Sequence, residues 1–132
     1  MNNQDAKRVL AAAVAKAESL GRKVSIAVVD AAGTLLVFER ATGADPFTAS
    51  LAEAKAATAA YTGRETKRMQ GMAETRPYLV APLEKRLGER FLPVEGGVPI
   101  RAEDGTVIGA VGVSGAASEE DGEIAAVGIA AL

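Results

Sequence analysis

Lys55 is the residue of this sequence whose type and position most favour chemistry. It lies in the Ala-rich run from Phe47 to Tyr61, where the apolar periodicity predicts a helix, and Leu51 and Thr58 are spaced to share its face. A lysine that is desolvated among such neighbours can act as a general base or as a Schiff-base nucleophile. Most lysines on helices are solvated instead, and the sequence alone leaves both interpretations open.

Two carboxylates are candidate acids for the same site. Asp30 follows a β-branched run, and Glu95 precedes a pair of glycines. Together with Lys55 they form a set of candidate catalytic residues compatible with metal-free proton transfer on a small organic acid. Asp30 is equally suited to capping the turn that follows it.

Glycines mark a candidate ligand-binding site. Gly96-Gly97 precedes a predicted strand and Ser114-Gly115 lies between a strand and a helix, so backbone N–H groups at either place could receive a carboxylate or a phosphate. Glycines also occur where a helix packs too closely on a strand for any side chain, and this explanation competes with the first. The candidate ligand-binding residues are Gly96, Gly97, Val98, Arg101, Arg40, Thr58, Ser114 and Gly115.

Acidic residues near Ser114-Gly115 make Gly96-Gly97 the better candidate site for an anionic ligand. Glu119, Glu120 and Asp121 stand at the start of the last predicted helix, where they complement its dipole and would repel an anion. Ser118 and Asp121 there resemble a capping box. An anionic ligand is therefore expected at Gly96-Gly97, with Arg40 and Arg101 as candidate charge partners.

Missing residue types narrow the function further. The 132 residues contain no His and no Cys, which removes the commonest metal ligand, the commonest general base and any thiolate nucleophile, so no metal site is predicted. Lys+Arg 15 against Asp+Glu 17 gives a net charge of −2, and the scattered positive charges do not favour a nucleic-acid partner. No segment reads as membrane-spanning or as an export signal, so a cytoplasmic protein without membrane partners is expected.

Two predicted hairpins and several helices must position these residues. The predicted elements are a helix over 5–20, strands over 24–29 and 34–40, helices over 47–61 and 64–71, a helical turn over 83–87, strands over 98–102 and 106–113, and a helix from Ser118. Asp45 is expected to cap the second helix, with Pro46 at its first position. The order of elements predicts a single α+β domain over 1–132, with one antiparallel sheet of at least four strands covered by helices.

Five segments of the chain resemble one known family. They are SIAVVD, GTLLVFER, EAKAATAAYTGRET, EGGVPIR and GTVIGAVGVSGAASEED, and in this order they are similar to the GlcG/HbpS-like family. That family includes haem-binding proteins and the C-terminal domain of PduO-type corrinoid adenosyltransferases. The resemblance spans nearly the whole chain, from the first helix to Ile124.

The resemblance implies a fold, an assembly and a ligand class. The fold would be a profilin-like sandwich of four to five strands, assembled into homo-oligomers that bind a tetrapyrrole or another small molecule. The haem-binding members use a histidine near the first helix, which this chain lacks. Iron can also take Met or Tyr, here Met69, Met72, Tyr61 and Tyr78, although in an apolar helix such residues more often fill gaps or act as core aromatics. The cofactor is thus undetermined, with haem or a corrinoid implied by the family alone.

Two functions from different classes follow. The first is a small-ligand-binding protein that takes haem, a corrinoid or a small organic acid near Gly96-Gly97 without a histidine ligand. The second is a small metal-free isomerase, lyase or hydrolase that uses Lys55 with Glu95 or Asp30. No nucleophile and base occur at a recognisable spacing, so the binding protein is preferred and enzymatic activity is left undecided.

Overall fold

The computed structural model describes all residues from 1 to 132. The chain forms five α-helices and four strands, and the strands occur as two consecutive pairs separated by three helices. They are α1 (Asn3–Ser19), β1 (Ser25–Asp30), β2 (Leu35–Arg40), α2 (Thr48–Thr62), α3 (Thr66–Thr75), α4 (Pro77–Leu87), β3 (Gly97–Arg101), β4 (Val107–Ser114) and α5 (Ser118–Ile129). None of the helices is both long and apolar enough to span a bilayer.

The four strands form one antiparallel sheet in the order β2-β1-β4-β3. Each predicted hairpin supplies two neighbours, and the hairpins join through β1 and β4, where Ser25 pairs with Ser114 and Asp30 with Gly109. The predicted α+β class, with an antiparallel sheet of two hairpins covered by helices, is confirmed.

Helices cover both faces of the sheet. On one face, α1 and α5 pack on a core that includes Ile26, Val28, Val111 and Val113. On the other face α2 packs through small residues, and its alanines meet Ala27, Val29 and Ala110 of the sheet, while α3 contacts the edge strand β3. Strand β1 is therefore buried on both sides, as its unbroken apolar sequence indicates.

Small residues bring α2 unusually close to β4. A Cβ placed on Gly112 would overlap the backbone of α2 at Ala52 and Ala56. This close approach delivers the polar side chains of α2 directly to the end of the sheet.

The segment between α2 and β3 is more helical than predicted. The expected short helix over 64–71 is α3, which runs to Thr75, and the expected turn over 83–87 belongs to α4, which begins at Pro77. Pro77 suits the first helical position because the N–H there needs no partner, and Pro82 is accommodated inside the helix. Both helices pack around a separate cluster of Met69, Val80 and Phe91.

The predicted cap of α2 is wrong in its chemistry. The helix begins at Thr48, and the Asp45 side chain makes no capping bond. Instead the Asp45 main-chain carbonyl accepts from the Thr48 N–H at 3.0 Å and from the Thr48 hydroxyl at 2.6 Å. Pro46 and Phe47 form a turn before the helix, so the carbonyl of Asp45 is nearer than its carboxylate to the first N–H groups.

Candidate functional site

Lys55 is buried and takes part in an ion pair. It lies midway along α2 with 5% of its side chain exposed, and its ammonium donates to the Val113 carbonyl at 2.9 Å and to Asp121 Oδ2 at 3.2 Å. A lysine ammonium has three donors, so these bonds leave one for another partner. The structure thus makes Lys55 a desolvated lysine, while a catalytic role for it stays a prediction.

Asp121, in the first turn of α5, is the partner of Lys55, whereas its position in the sequence predicted only a role at the start of the helix. Its Oδ1 accepts from the Ala116 N–H at 3.0 Å while Oδ2 faces Lys55. Burial raises the pKa of Asp121 above its ordinary value, and the Lys55 ammonium and the Ala116 N–H act in the opposite direction. Buried ionisable pairs with a shifted pKa are common at functional sites.

The predicted capping box of Ser118 and Asp121 is wrong. Glu120 takes that role, since its carboxylate accepts from the Ala117 N–H at 3.3 Å and also pairs with Arg22 at 3.0 Å. Asp121 turns inward instead because it lies on the buried face of α5. That face has a helical spacing in the sequence, and its buried residues are Asp121, Ile124, Ala125 and Gly128. This periodicity is the signal that could have identified Asp121.

A cleft of about 350 Å³ opens over this ion pair, and we call it the Lys55 cleft. Its buried polar members Thr48, Lys55, Ser114 and Asp121 form the floor, and exposed apolar side chains such as Phe47 form the rim. The remaining lining residues are Asp45, Leu51, Leu92, Val94, Gly115, Ala116 and Ser118. Three of the residues selected from the sequence therefore meet here: Lys55, Ser114 and Gly115.

Gly96 and Gly97 lie behind this ion pair rather than in the cleft. A Cβ on Gly96 would come within 3.0 Å of Lys55 Nζ, and one on Gly97 would overlap the Lys55 backbone. The Gly97 N–H donates to Thr66 Oγ1 at 2.7 Å. The prediction of an unpartnered N–H facing a ligand is therefore wrong for Gly97, and both buried glycines are explained by close packing.

Asp30 lies at the opposite end of the sheet from Lys55. It pairs with Gly109, five positions along β4 from Ser114, which corresponds to about 16 Å. Its carboxylate accepts two backbone N–H groups of the following turn, at 2.9 and 3.0 Å. The pairing of Asp30 with Lys55 is wrong, because the strand between them separates the two side chains.

The two predicted arginines do not stand beside the glycine pair. Arg40, at the end of β2, donates to the Ala44 carbonyl at 2.9 Å and lines a different cleft, between α1 and β2. Arg101, at the far end of β3, donates to the carbonyls of Gly63 and Gly105. Their proposed role as charge partners at Gly96-Gly97 is wrong. Arg40 lies three strands away across the sheet, and Arg101 lies at the opposite end of β3 from the glycine pair.

Glu95 and Val98 also lie outside the Lys55 cleft. The Glu95 N–H donates to Gln70 at 2.9 Å, and its carboxylate packs beside Gly122 without a bond to Lys55. Val98 pairs with Val111 and packs against the larger core.

Thr58 ties the loop before β3 to α2. Its buried hydroxyl accepts from the Leu92 N–H at 2.8 Å and lies 3.0 Å from the Arg90 carbonyl.

We expect Thr58→Val to lower the free energy of unfolding by about 1–3 kcal/mol, because a part-buried N–H loses its acceptor. Urea unfolding would measure this. Thr75→Val is the matched control, since its exposed hydroxyl bonds only within α3, and equal losses in both variants would contradict the assignment.

Known proteins resemble this chain over nearly its whole length. Residues 1–130 match the family described as haem-degrading protein HbpS-like. Protein GlcG of Escherichia coli K12 is 38% identical over 116 residues, which cover 86% of this chain and 81% of GlcG.

Two solved structures share the fold. A double mutant of HbpS from Streptomyces reticuli is 34% identical with a TM-score of 0.88, covering 100% of this chain and 86% of that one. The complex of PduOC with haem is 32% identical with a TM-score of 0.88, covering 100% and 94%. In this chain, no group of three or more acidic side chains is placed to hold a metal ion.

Proposed function

The chain belongs to the HbpS-like family, and from this premise we propose that it is a small-ligand-binding protein whose ligand is a small organic acid. The resemblance predicted from the motifs is confirmed by these matches. The haem complex of PduOC supports ligand binding in general for such a protein.

One observation carries the proposal: the buried Lys55 ammonium on the floor of a cleft. Val113 and Asp121 occupy two of its donors, so a ligand carboxylate can take the third. Ser114, at the end of β4, also lines the cleft, and Phe47 and Leu51 offer apolar surface for the carbon body of the ligand. A cavity of about 350 Å³ lies at the small end of the range for ligand pockets, which favours a small acid over a tetrapyrrole.

Haem does not fit the Lys55 cleft. Iron needs an axial ligand such as His, Cys, Met or Tyr, and none of these lines the cleft. Met69 is buried in the cluster between α3 and α4, and Tyr61 and Tyr78 project from the surface. Met72 lines a separate groove on α3.

Blocking the Lys55 cleft tests the proposal. Leu51→Trp fills the cleft while keeping both members of the buried ion pair, and Leu79→Trp makes the same change on α4, away from the cleft. We expect calorimetric titration with small mono-, hydroxy- and dicarboxylic acids to find a ligand for the native protein and for Leu79→Trp, with binding lost in Leu51→Trp. Equal binding by both variants, or no binding by any acid at millimolar concentration, would contradict it.

The second candidate function is a metal-free enzyme, favoured by the raised pKa of Asp121 beside a buried ammonium. In that case Lys55 and Asp121 would exchange protons with the substrate, in place of Glu95 and Asp30. Deuterium exchange at the α-carbon of small keto acids separates the two: exchange catalysed by the native protein but not by Leu51→Trp favours the enzyme, and no exchange above the uncatalysed rate favours the binding protein.

Assembly into homo-oligomers stays a prediction from the family. Large exposed side chains, at 62% for Phe47, 55% for Tyr61 and 71% for Tyr78, give the chain apolar surface that an interface would cover. A single domain over 1–132 and a cytoplasmic location likewise stay predictions.

A further inference from the structure

A groove of about 420 Å³ crosses the outer face of α3, away from the Lys55 cleft, and we call it the arginine groove. Its lining residues are Arg64, Arg68, Gly71, Met72, Thr75 and Arg76. Most of them recur at helical spacing, so they share one face of α3 and its ends. Three of these six side chains are guanidinium groups, and no carboxylate lines the groove.

The positive charge of the arginine groove is not neutralised within the chain. The four ion pairs of the protein involve Arg8, Lys16, Arg22 and Lys55, and none of the groove arginines. Arg64 donates only to a backbone carbonyl, that of Thr62 at 3.3 Å. Glu65 lines the neighbouring cleft on the β3 side, which Arg64 and Arg68 also border, but it forms an ion pair with neither of them.

Gly71 is a second, independent feature that points to a ligand. A glycine inside a helix makes the helix less stable than an alanine at the same position does. Gly71 has no positive φ, and no atom lies within 4 Å of a Cβ built on it. Neither a turn nor internal packing explains it, in contrast to Gly96, Gly97 and Gly112. Its effect is to leave the floor of the groove bare, where a bound molecule can reach the backbone.

Contacts on the inner side of α3 orient the helix so that the face bearing the arginine groove is exposed to solvent. Met69 is buried in the small core, Thr66 accepts from the Gly97 N–H, and Gln70 accepts from the Glu95 N–H. These three anchors set the rotation of α3, so the arginine face is presented to solvent without rearrangement.

We propose that the arginine groove binds a small molecule that carries two or more carboxylate or phosphate groups. Guanidinium groups form paired hydrogen bonds with both kinds of anion, and three of them suit a ligand with more than one negative group. Met72 and the bare backbone at Gly71 accommodate its uncharged part.

Pyrophosphate and citrate are the probes for this site, compared with acetate at constant ionic strength, with calorimetry and amide chemical shifts as readouts. We expect a saturable shift of residues 64–76 with at least one polyanion and none with acetate. Arg68→Gln should weaken binding about 10-fold or more, because a charge-assisted hydrogen-bonding group is removed. Arg86→Gln on α4 removes the same charge outside the groove and should change the affinity less than about 2-fold.

Gly71→Ala gives a sharper test because two effects should move in opposite directions. The variant should melt at a higher temperature, since alanine favours the helix, and should bind the polyanion more weakly, since the methyl group occupies the floor. The Leu51→Trp variant should bind it normally, which separates this site from the Lys55 cleft. Equal losses in Arg68→Gln and Arg86→Gln would indicate a diffuse basic surface and overturn the proposal. Unchanged binding in Gly71→Ala, or no saturable binding of either polyanion, would also overturn it.

Discussion

Gly112→Ala is expected to lower the free energy of unfolding by about 3 kcal/mol, at the upper end of the usual cost of overpacking a core. The added Cβ would overlap the backbone of α2 at Ala52 and Ala56. A side chain in the way could turn aside, but a helix backbone must shift as a unit, which opens the small-residue core of Ala27, Ala52 and Ala56 on that face. Urea unfolding followed by circular dichroism would measure the loss.

Gly71→Ala is the matched control for this substitution. It makes the same chemical change inside a regular element, but in open space, and should raise the free energy of unfolding by up to about 1 kcal/mol. Opposite signs for the two substitutions would confirm that contact, rather than glycine itself, decides the effect. A loss below about 1 kcal/mol in Gly112→Ala would contradict the close approach of α2 to β4.

Lys55→Met is expected to lower the free energy of unfolding by about 3–5 kcal/mol near neutral pH, because it leaves the buried Asp121 carboxylate without its counter-charge. Lys16→Met is the matched control. Its ion pair with Glu123 is more exposed, so we expect a loss of at most about 1 kcal/mol.

The loss in Lys55→Met should shrink as the pH falls. The pKa of Asp121 is already raised by burial, and removal of the ammonium raises it further. Between the raised pKa of Asp121 in the native protein and its higher pKa in the variant, the folded variant binds a proton that the folded native protein does not, so the difference in stability shrinks as the pH is lowered through that range. Unfolding curves measured from pH 7 down to pH 4 would show the trend, and a loss independent of pH would contradict it.

A double variant separates the charge from the packing. Lys55→Met combined with Asp121→Leu removes both charges and should recover most of the stability lost in Lys55→Met. The recovery should be incomplete, because the Ala116 N–H loses its acceptor. A double variant less stable than Lys55→Met would contradict this explanation, because it would show that the contacts of Asp121 stabilise the fold more than its unpaired charge destabilises it.

The elements with strong local patterns were predicted within a few residues. The helical stripe of α1, the β-branched run of β1 and the Asp-Gly turn between β3 and β4 each depend on residues that are close in sequence. These elements can therefore be predicted without knowledge of the tertiary structure. The family could be identified for a similar reason, because its motifs are short and contiguous. The length of α3 and the start of α4 were not predicted, since a polar stretch and two prolines indicated that the helices would be interrupted there.

The candidate site was predicted only in part. Lys55, Ser114 and Gly115 were each selected from the sequence, but the ligand was expected at the glycine pair, and only the structure places these three residues in one cleft without Asp30 or the glycine pair. The glycine sequence is compatible both with a bare ligand loop and with tight packing, and only the position of Thr66 and the Lys55 backbone decides between them.

By itself, the sequence of this protein determined its α+β elements, its family and the scarcity of residues able to bind a metal. The tertiary structure alone decided that Lys55 meets Asp121, 66 positions away, and that the arginines in α3 and beside its two ends share a groove. The reason is physical. Local periodicity reports which face of a helix is buried, but the crossing of α2 over β4 and the rotation of α5 and α3 decide which polar groups on those faces come together.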